Sequence, residues 1–253
     1  MNTSCRPTDA FSPLSSQPGP ILRDLSPRAG QQLAEMTWVD LPSTDRLTLS
    51  TARERYDLPP EALTYFLLRY QSAKLIHAGP TLFLVTFLAV PSLRHLFTTR
   101  ELKICVTPTL IVTLCGPSGR TQPGLARTLP LLPELSGEGV GRFLCGLLVG
   151  VVGSYEAVVR AVEERRLDDV PWEKRQRWRQ RGEKLVRFLR DERVFLNSVA
   201  REGGKLFAAE ESQQLLRLEA RVGMLARVVW NTIHPKQDET DASKNTGKGG
   251  GHT

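Results

Sequence analysis

The chain has 253 residues and a formal net charge of +7, and 40% of its residues are apolar, which suits one large domain with a full core. The basic balance favours anionic partners such as nucleic acid or the cytoplasmic face of a membrane. No apolar run of signal-peptide length follows Met1, and the most apolar run, 143–155, is shorter than the roughly 20 residues of a membrane helix. These features exclude a secretory signal and predict a cytoplasmic protein with no membrane span of its own.

The two ends of the chain differ from its middle in composition. Residues 1–31 are rich in proline and serine, and residues 235–253 are polar and include a run of glycines. Such segments bury too little apolar surface to fold, so we predict a disordered head and a disordered tail. Between them we predict a part of mixed strands and helices at 32–136 and a helical part at 137–234.

The mixed part begins with one strand and two helices. The strand is predicted at 37–41 and the second helix at 61–70. Between them, Ser43 or Thr44 is placed to cap a helix that begins near Asp45.

Four further short segments rich in β-branched and other apolar residues predict strands at 73–77, 82–90, 102–106 and 110–115. Apolar and other residues alternate in the last two, which flank the turn sequence Thr107-Pro108-Thr109. This pattern predicts an antiparallel hairpin.

Three helices are predicted in the second part. One has an apolar stripe at helical spacing, made of Leu144, Leu148, Val151, Tyr155, Val158 and Val162. The others are predicted at 172–206 and 210–233. The last carries a heptad seam, which packs against a helix of the same chain or forms a coiled coil with another subunit: Leu215, Leu218, Val222, Leu225 and Val229.

Three segments together resemble the cytoplasmic domain of the CorA family of divalent-metal (Mg²⁺/Co²⁺) transporters. Trp38-Val39-Asp40-Leu41-Pro42 is similar to the family's early strand, 102–114 to its hairpin, and 153–160 to the start of its long helical section. The resemblance implies an α+β fold with a mainly antiparallel sheet packed between helices, followed by long stalk-like helices. It also implies a homo-oligomer, since family members form pentamers that pass hydrated Mg²⁺ and are held closed by metal bound between their cytoplasmic domains.

The sequence departs from the family at its C-terminal side. The family ends in two membrane helices, the first closed by Gly-Met-Asn, whereas Gly223-Met224 is followed here by Leu225. The resemblance therefore predicts a non-conducting regulatory or cation-sensing relative, or a truncated copy, that associates with itself or with a full-length CorA-type relative. It also places the protein in the cytoplasm, where the inner face of the membrane is one possible location.

Asp168 and Asp169 are candidate metal ligands, and Mg²⁺ is the only cofactor predicted. Carboxylate oxygens suit Mg²⁺, but the pair follows Arg165-Arg166 near a predicted helix end, which also indicates an ordinary terminal turn. The four histidines lie far apart, and no zinc-binding, nucleophile or phosphate-loop motif occurs. We therefore predict that the protein is not an enzyme.

The segment 173–190 is strongly basic and includes Trp178 among its charges. The alternative function is an adaptor whose basic face binds nucleic acid or another acidic partner: Lys174, Arg175, Arg177, Arg179 and Arg181. A solvated outer face over a buried stripe of Trp178, Leu185 and Leu189 accounts for the same pattern, and polybasic segments are also drawn to anionic lipid.

The chain contains four cysteines and no CxxC pair. Cys105, Cys115 and Cys145 lie in apolar runs, where cysteine usually behaves as a small buried hydrophobe. We predict reduced thiols, as in a cytoplasmic protein.

Overall fold

A computed structural model describes residues 21–22, 36–41, 45–92, 94–115, 128, 139–165 and 171–235. The predicted head apart from 21–22, the predicted tail after Pro235, and the candidate ligands Asp168 and Asp169 lie outside the described residues.

The described strands form one mixed sheet in the order β1-β2-β6-β5-β4-β3. Its members are β1 (Ile21–Leu22), β2 (Thr37–Leu41), β3 (Lys74–Ala78), β4 (Thr81–Ser92), β5 (Leu96–Val106) and β6 (Leu110–Leu114). All neighbours pair antiparallel except β2 and β6, which run parallel. The predicted hairpin is confirmed, because Val106 pairs with Ile111 and Lys103 with Leu114.

The sheet is covered by helices on both faces, as β4 shows. Successive side chains of a strand point to opposite faces, so Leu82, Leu84 and Leu88 lie in one apolar cluster while Phe83 and Val85 lie in the other. Burial on both faces accounts for the nearly continuous apolar sequence of this strand.

Two short helices, α1 (Arg46–Tyr56) and α2 (Pro60–Leu67), cover the first face. Ser43 and Thr44, the predicted caps, lie outside the described residues. The cap of α1 is Asp45, whose carboxylate accepts hydrogen bonds from the backbone N–H of Thr48 at 2.8 Å and from its hydroxyl at 2.7 Å.

The predicted end of α2 at residue 70 is wrong, because the helix ends at Leu67. Two side chains of β5 form hydrogen bonds with backbone groups that would otherwise bond to one another in a further turn of the helix. The buried Lys103 ammonium donates to the carbonyl oxygens of Phe66, at 2.8 Å, and Leu68, and the Glu101 carboxylate accepts from the N–H of Tyr70 at 2.7 Å. These contacts join the loop after α2 to the sheet.

Three longer helices cover the second face: α3 (Val140–Glu163), α4 (Trp172–Glu202) and α5 (Ala209–Ile233). The second was predicted to run to residue 206, but it ends at Glu202. A Cβ on Gly203 would overlap the ring of Phe207, and Gly204 has a φ of +59°, so two glycines turn the chain back toward α5. The predicted α+β fold, with a sheet packed between helices and long helices after it, is confirmed.

By length and composition alone, α3 is the one described helix apolar enough to cross a membrane, and it is longer than the apolar run seen in the sequence. In the fold, 72% of its most apolar stretch is buried. It packs against β4 on one side and α5 on the other, so α3 is the core helix of this layer.

The cysteines in the sheet and in α3 are buried thiols, as predicted. Burial raises the pKa of Cys105 and of Cys145 to about 12, which keeps both protonated and weakly reactive at neutral pH.

Candidate functional sites: a basic helix with its groove, and a buried carboxyl

The candidate metal ligands Asp168 and Asp169 lie outside the described residues. Among the residues that are described, no three His, Cys, Asp or Glu side chains come together in an arrangement that could hold a metal ion.

The predicted basic face lies in the first three turns of α4. Lys174, Arg177 and Arg179 are exposed, and Arg175 and Arg181 are partly exposed. In the same helix, Trp178, Leu185 and Leu189 are buried, as their helical spacing predicts. The positive charges therefore lie on the outer surface of the helical layer.

Further along α4, three basic side chains line a groove of about 480 Å³ against the tip of the β4–β5 hairpin. Helical spacing places Arg181, Lys184 and Arg187 on one side of α4. The groove is completed by polar residues of the sheet side and by two phenylalanines: Gln71, His95, Thr98, Thr99, Phe97 and Phe188. Asp191 is the one acidic residue in its lining.

Two aromatic contacts hold the groove in place. The rings of Phe97 on β5 and Phe188 on α4 lie 5.6 Å apart between centroids, and Phe188 meets the ring of Tyr155 on α3 edge to face at 5.4 Å. The hairpin tip and the basic helix are thus fixed to one another through buried or half-buried rings.

This groove was not predicted from the sequence. The spacing of Arg181, Lys184 and Arg187 was a detectable signal that they share one side of a helix. Thr98 and Thr99 gave no such signal, because only tertiary packing brings the hairpin tip to α4.

The next residue of α4 after Asp191 points the other way, into the core. Glu192 is 1% exposed. Its carboxyl accepts hydrogen bonds from the hydroxyl of Thr86 at 2.7 Å and the backbone N–H of Phe87 at 3.1 Å, and the hydroxyl of Tyr155 lies 3.4 Å from that of Thr86. Burial raises the pKa of Glu192 to about 8, against the opposing effect of these hydrogen bonds. The carboxyl is therefore mostly protonated at neutral pH.

This carboxyl lies beside the part of β4 that, among the described residues, has no neighbouring strand on one side. β3 reaches only as far as Val85 along β4. Beyond that point, the N–H of Phe87 donates to Glu192 and the N–H of Ala89 donates to the hydroxyl of Ser154 on α3 at 3.0 Å. Side chains of two helices thus replace a neighbouring strand and satisfy buried backbone donors.

Comparison with solved structures identifies this arrangement of sheet and helices. The soluble domain of CorA from Methanocaldococcus jannaschii matches with a TM-score of 0.64 and 15% identity, over 79% of this chain and 84% of that one. The complete CorA magnesium transporter from the same organism matches with a TM-score of 0.64 and 15% identity, over 83% of this chain and 71% of that one. The ZntB cytoplasmic domain from Vibrio parahaemolyticus RIMD 2210633 matches with a TM-score of 0.60 and 11% identity, over 84% and 89%.

A scan against models of protein families and a search of curated proteins give no match. The likeness in structure extends over most of the chain at low identity, so it establishes the fold. The resemblance to a CorA-type cytoplasmic domain that the sequence indicated is confirmed at the level of the fold.

Proposed function

We propose that this chain is a cytoplasmic domain related to divalent-cation transport, and that it senses Mg²⁺ while associating with itself or with a full-length CorA-type relative. The observation that supports this function is the shared fold, which extends over 79% to 84% of the chain in the three matches described above. Two of these solved structures are soluble or cytoplasmic domains, which supports the same cellular location here.

We also propose that the domain is regulatory and does not conduct ions itself. In the part of the chain that the structure describes, the one helix long and apolar enough to span a membrane is α3, and it forms the core between the sheet and α5. Exposing α3 to lipid would dismantle that core, so its place in the fold supports a soluble domain that acts on another protein.

The Mg²⁺ site of this proposal would use carboxylates from more than one segment or subunit. Mg²⁺ retains several waters and is often bound by only one or two carboxylates, and no described cluster of acids supplies a complete site within one chain. Asp168 and Asp169 remain the proposed ligands, and sharing them between two subunits would couple cation binding to association.

The test is light scattering after size-exclusion chromatography, with about 20 mM Mg²⁺, a concentration meant to saturate weak hard-cation sites, and then with chelator. We expect a defined oligomer that becomes tighter with Mg²⁺ and looser with chelator. A sodium chloride sample of equal ionic strength controls for charge screening. A monomer that responds to neither condition would contradict the proposed cation response while leaving the fold unaffected.

The second candidate function is the basic adaptor, which the exposure of the basic face favours. Binding of a single-stranded oligonucleotide should weaken steeply with salt, because phosphate contacts release counterions. The combined change of Arg175, Arg177, Arg179 and Arg181 to Gln should abolish it, and the same four positions changed to Lys should retain most of it. Binding that survives the Gln variant would remove this site from the adaptor hypothesis.

A further inference from the structure

The groove between α4 and the β4–β5 hairpin tip is lined by three basic side chains that are not paired with acidic ones among the described residues. Three arginines of the long helices outside the groove have acidic partners on a neighbouring helix: Arg142 with Glu210, Arg193 with Glu219 and Arg221 with Glu156. None of the ion pairs between described residues involves Arg181, Lys184 or Arg187. The groove therefore concentrates three cations without compensating acids in contact.

Three like charges on one side of a helix repel one another, and Asp191 offsets only part of that charge. A bound anion would relieve the repulsion, and a cleft with walls of low polarity strengthens the local field. Phe97 and Phe188 supply such walls. The electrostatics of the groove thus favour an anionic ligand.

The donors around the groove suit a phosphate group in particular. Arginine presents a planar fork that binds phosphate oxygens in pairs, and lysine adds a compact charge. Thr98, Thr99 and Gln71 add neutral groups that can donate hydrogen bonds from the sheet side. A volume of about 480 Å³ falls within the range of small-ligand pockets and exceeds the size of a single phosphate.

We propose that this groove binds a phosphate-bearing anion through Arg181, Lys184 and Arg187. The ligand is a compound with one or more phosphoryl groups, either free in solution or as the headgroup of a lipid. The proposal does not depend on the Mg²⁺ response, and it adds to the proposed function a separate ligand that the domain would recognise.

The test compares two triple variants of the full chain that each lose three positive charges from the long helices. The groove variant carries Arg181→Gln, Lys184→Gln and Arg187→Gln. The matched control carries Arg201→Gln, Arg217→Gln and Arg227→Gln, which are exposed and belong neither to the groove lining nor to the basic face. Thermal unfolding followed by circular dichroism checks that both variants fold as the wild type does.

Pyrophosphate binding is measured by isothermal titration calorimetry, and lipid binding by flotation with vesicles of phosphatidylcholine alone or mixed with phosphatidylglycerol. We expect the groove variant to lose at least about tenfold in affinity for one of these probes, since charge-assisted hydrogen bonds are the strong class. The control variant should bind as the wild type does. Loss with pyrophosphate indicates a soluble phosphate ligand, and loss with anionic vesicles alone indicates a headgroup.

Equal losses in the two triple variants would overturn the proposal, because they would show attraction to the net positive charge of the protein and no site. Failure of the wild type to bind either probe would overturn it as well. Light scattering of the groove variant with and without Mg²⁺ tests the proposed cation sensing separately. Because the two proposals are independent, this variant should keep the Mg²⁺ response of the wild type.

Discussion

Glu192 connects three elements of the fold through a single carboxyl group. It belongs to α4, it accepts hydrogen bonds from Thr86 and Phe87 on β4, and it lies beside Tyr155 of α3. A neutral carboxyl can occupy this buried position at little cost, whereas no cation among the described residues lies close enough to compensate an ionised one. Its protonation state therefore affects the stability of the whole core.

The pH dependence of folding follows from this pKa. Because the folded state holds a proton on Glu192 up to a pH of about 8 and the unfolded chain loses it near 4.5, the folded state binds more protons between these values. Glu192 therefore makes the free energy of unfolding fall as pH rises from about 4.5 to about 8, by at most about 1.4 kcal/mol per pH unit.

The change Glu192→Gln keeps a neutral side chain of the same shape and removes the titration. In urea unfolding at several pH values from 5 to 9, we expect the stability of this variant relative to the wild type to increase with pH. Glu54→Gln is the matched control, since Glu54 is an exposed acid on α1 and is not among the charges that act on Glu192, and it should leave the pH dependence of the wild type unchanged. Parallel pH profiles for Glu192→Gln and the wild type would contradict the assignment.

At the scale of the elements, α4 and α5 form an antiparallel pair whose close approach depends on Gly182. A Cβ at this position would lie 2.5 Å from the Cγ2 of Ile233, a fully buried side chain near the end of α5. Gly223 on α5 is a contrasting case, since a Cβ there would lie 3.2 Å from the Nε of Arg193, part of a long and largely exposed side chain.

These two glycines predict opposite effects of the same substitution. Gly182→Ala should lower the free energy of unfolding by about 1–3 kcal/mol, because overpacking against Ile233 outweighs the better helix propensity of alanine. Gly223→Ala should leave it unchanged or raise it by up to about 1 kcal/mol, because the arginine can move aside. Chemical denaturation of both variants checks this, and stabilisation by Gly182→Ala would show that the helices have room to separate.

The elements that the sequence predicted well are those specified by local pattern. Apolar residues that alternate on both sides of a short turn sequence specify the β5–β6 hairpin. Apolar residues at helical spacing specify the buried stripes of α3 and α4. The predicted end of α2 was wrong because Lys103 and Glu101, which lie more than 30 residues further along the chain, form hydrogen bonds with the backbone groups after the helix. The parallel pairing of β2 with β6 was not predicted either, since no local pattern indicates which distant strands pair.

The same division applies to the candidate sites. The basic residues of α4 are visible in the sequence as a charge run, so their presence on one helix could be predicted. The groove needed the hairpin tip beside α4, and the raised pKa of Glu192 needed its burial among three elements. Both depend on packing between segments more than 60 residues apart, as in the hydrogen bonds from Glu192 to Thr86 and Phe87.

At the scale of the whole molecule, the proposed function depends on coupling between a weak cation site and subunit association. A cation that binds only the assembled form stabilises it in proportion to the logarithm of its concentration. The double change Asp168→Asn and Asp169→Asn should therefore abolish the Mg²⁺-dependent increase in mass while leaving the mass in chelator unchanged. An unchanged Mg²⁺ response in this variant would place the cation on other acids.

Strand β2 pairs with a strand that follows it only after α1, α2, β3, β4 and β5. Closing so long a loop is slow compared with forming the hairpins β4–β5 and β5–β6, so we expect those hairpins to form first and to act as the template on which β2 docks. During synthesis, the apolar surfaces of β2, α1 and α2 then stay exposed to solvent until residue 114 has left the ribosome and the sheet can form. Residues 37–67 are therefore the stretch of the nascent chain that most needs protection from aggregation.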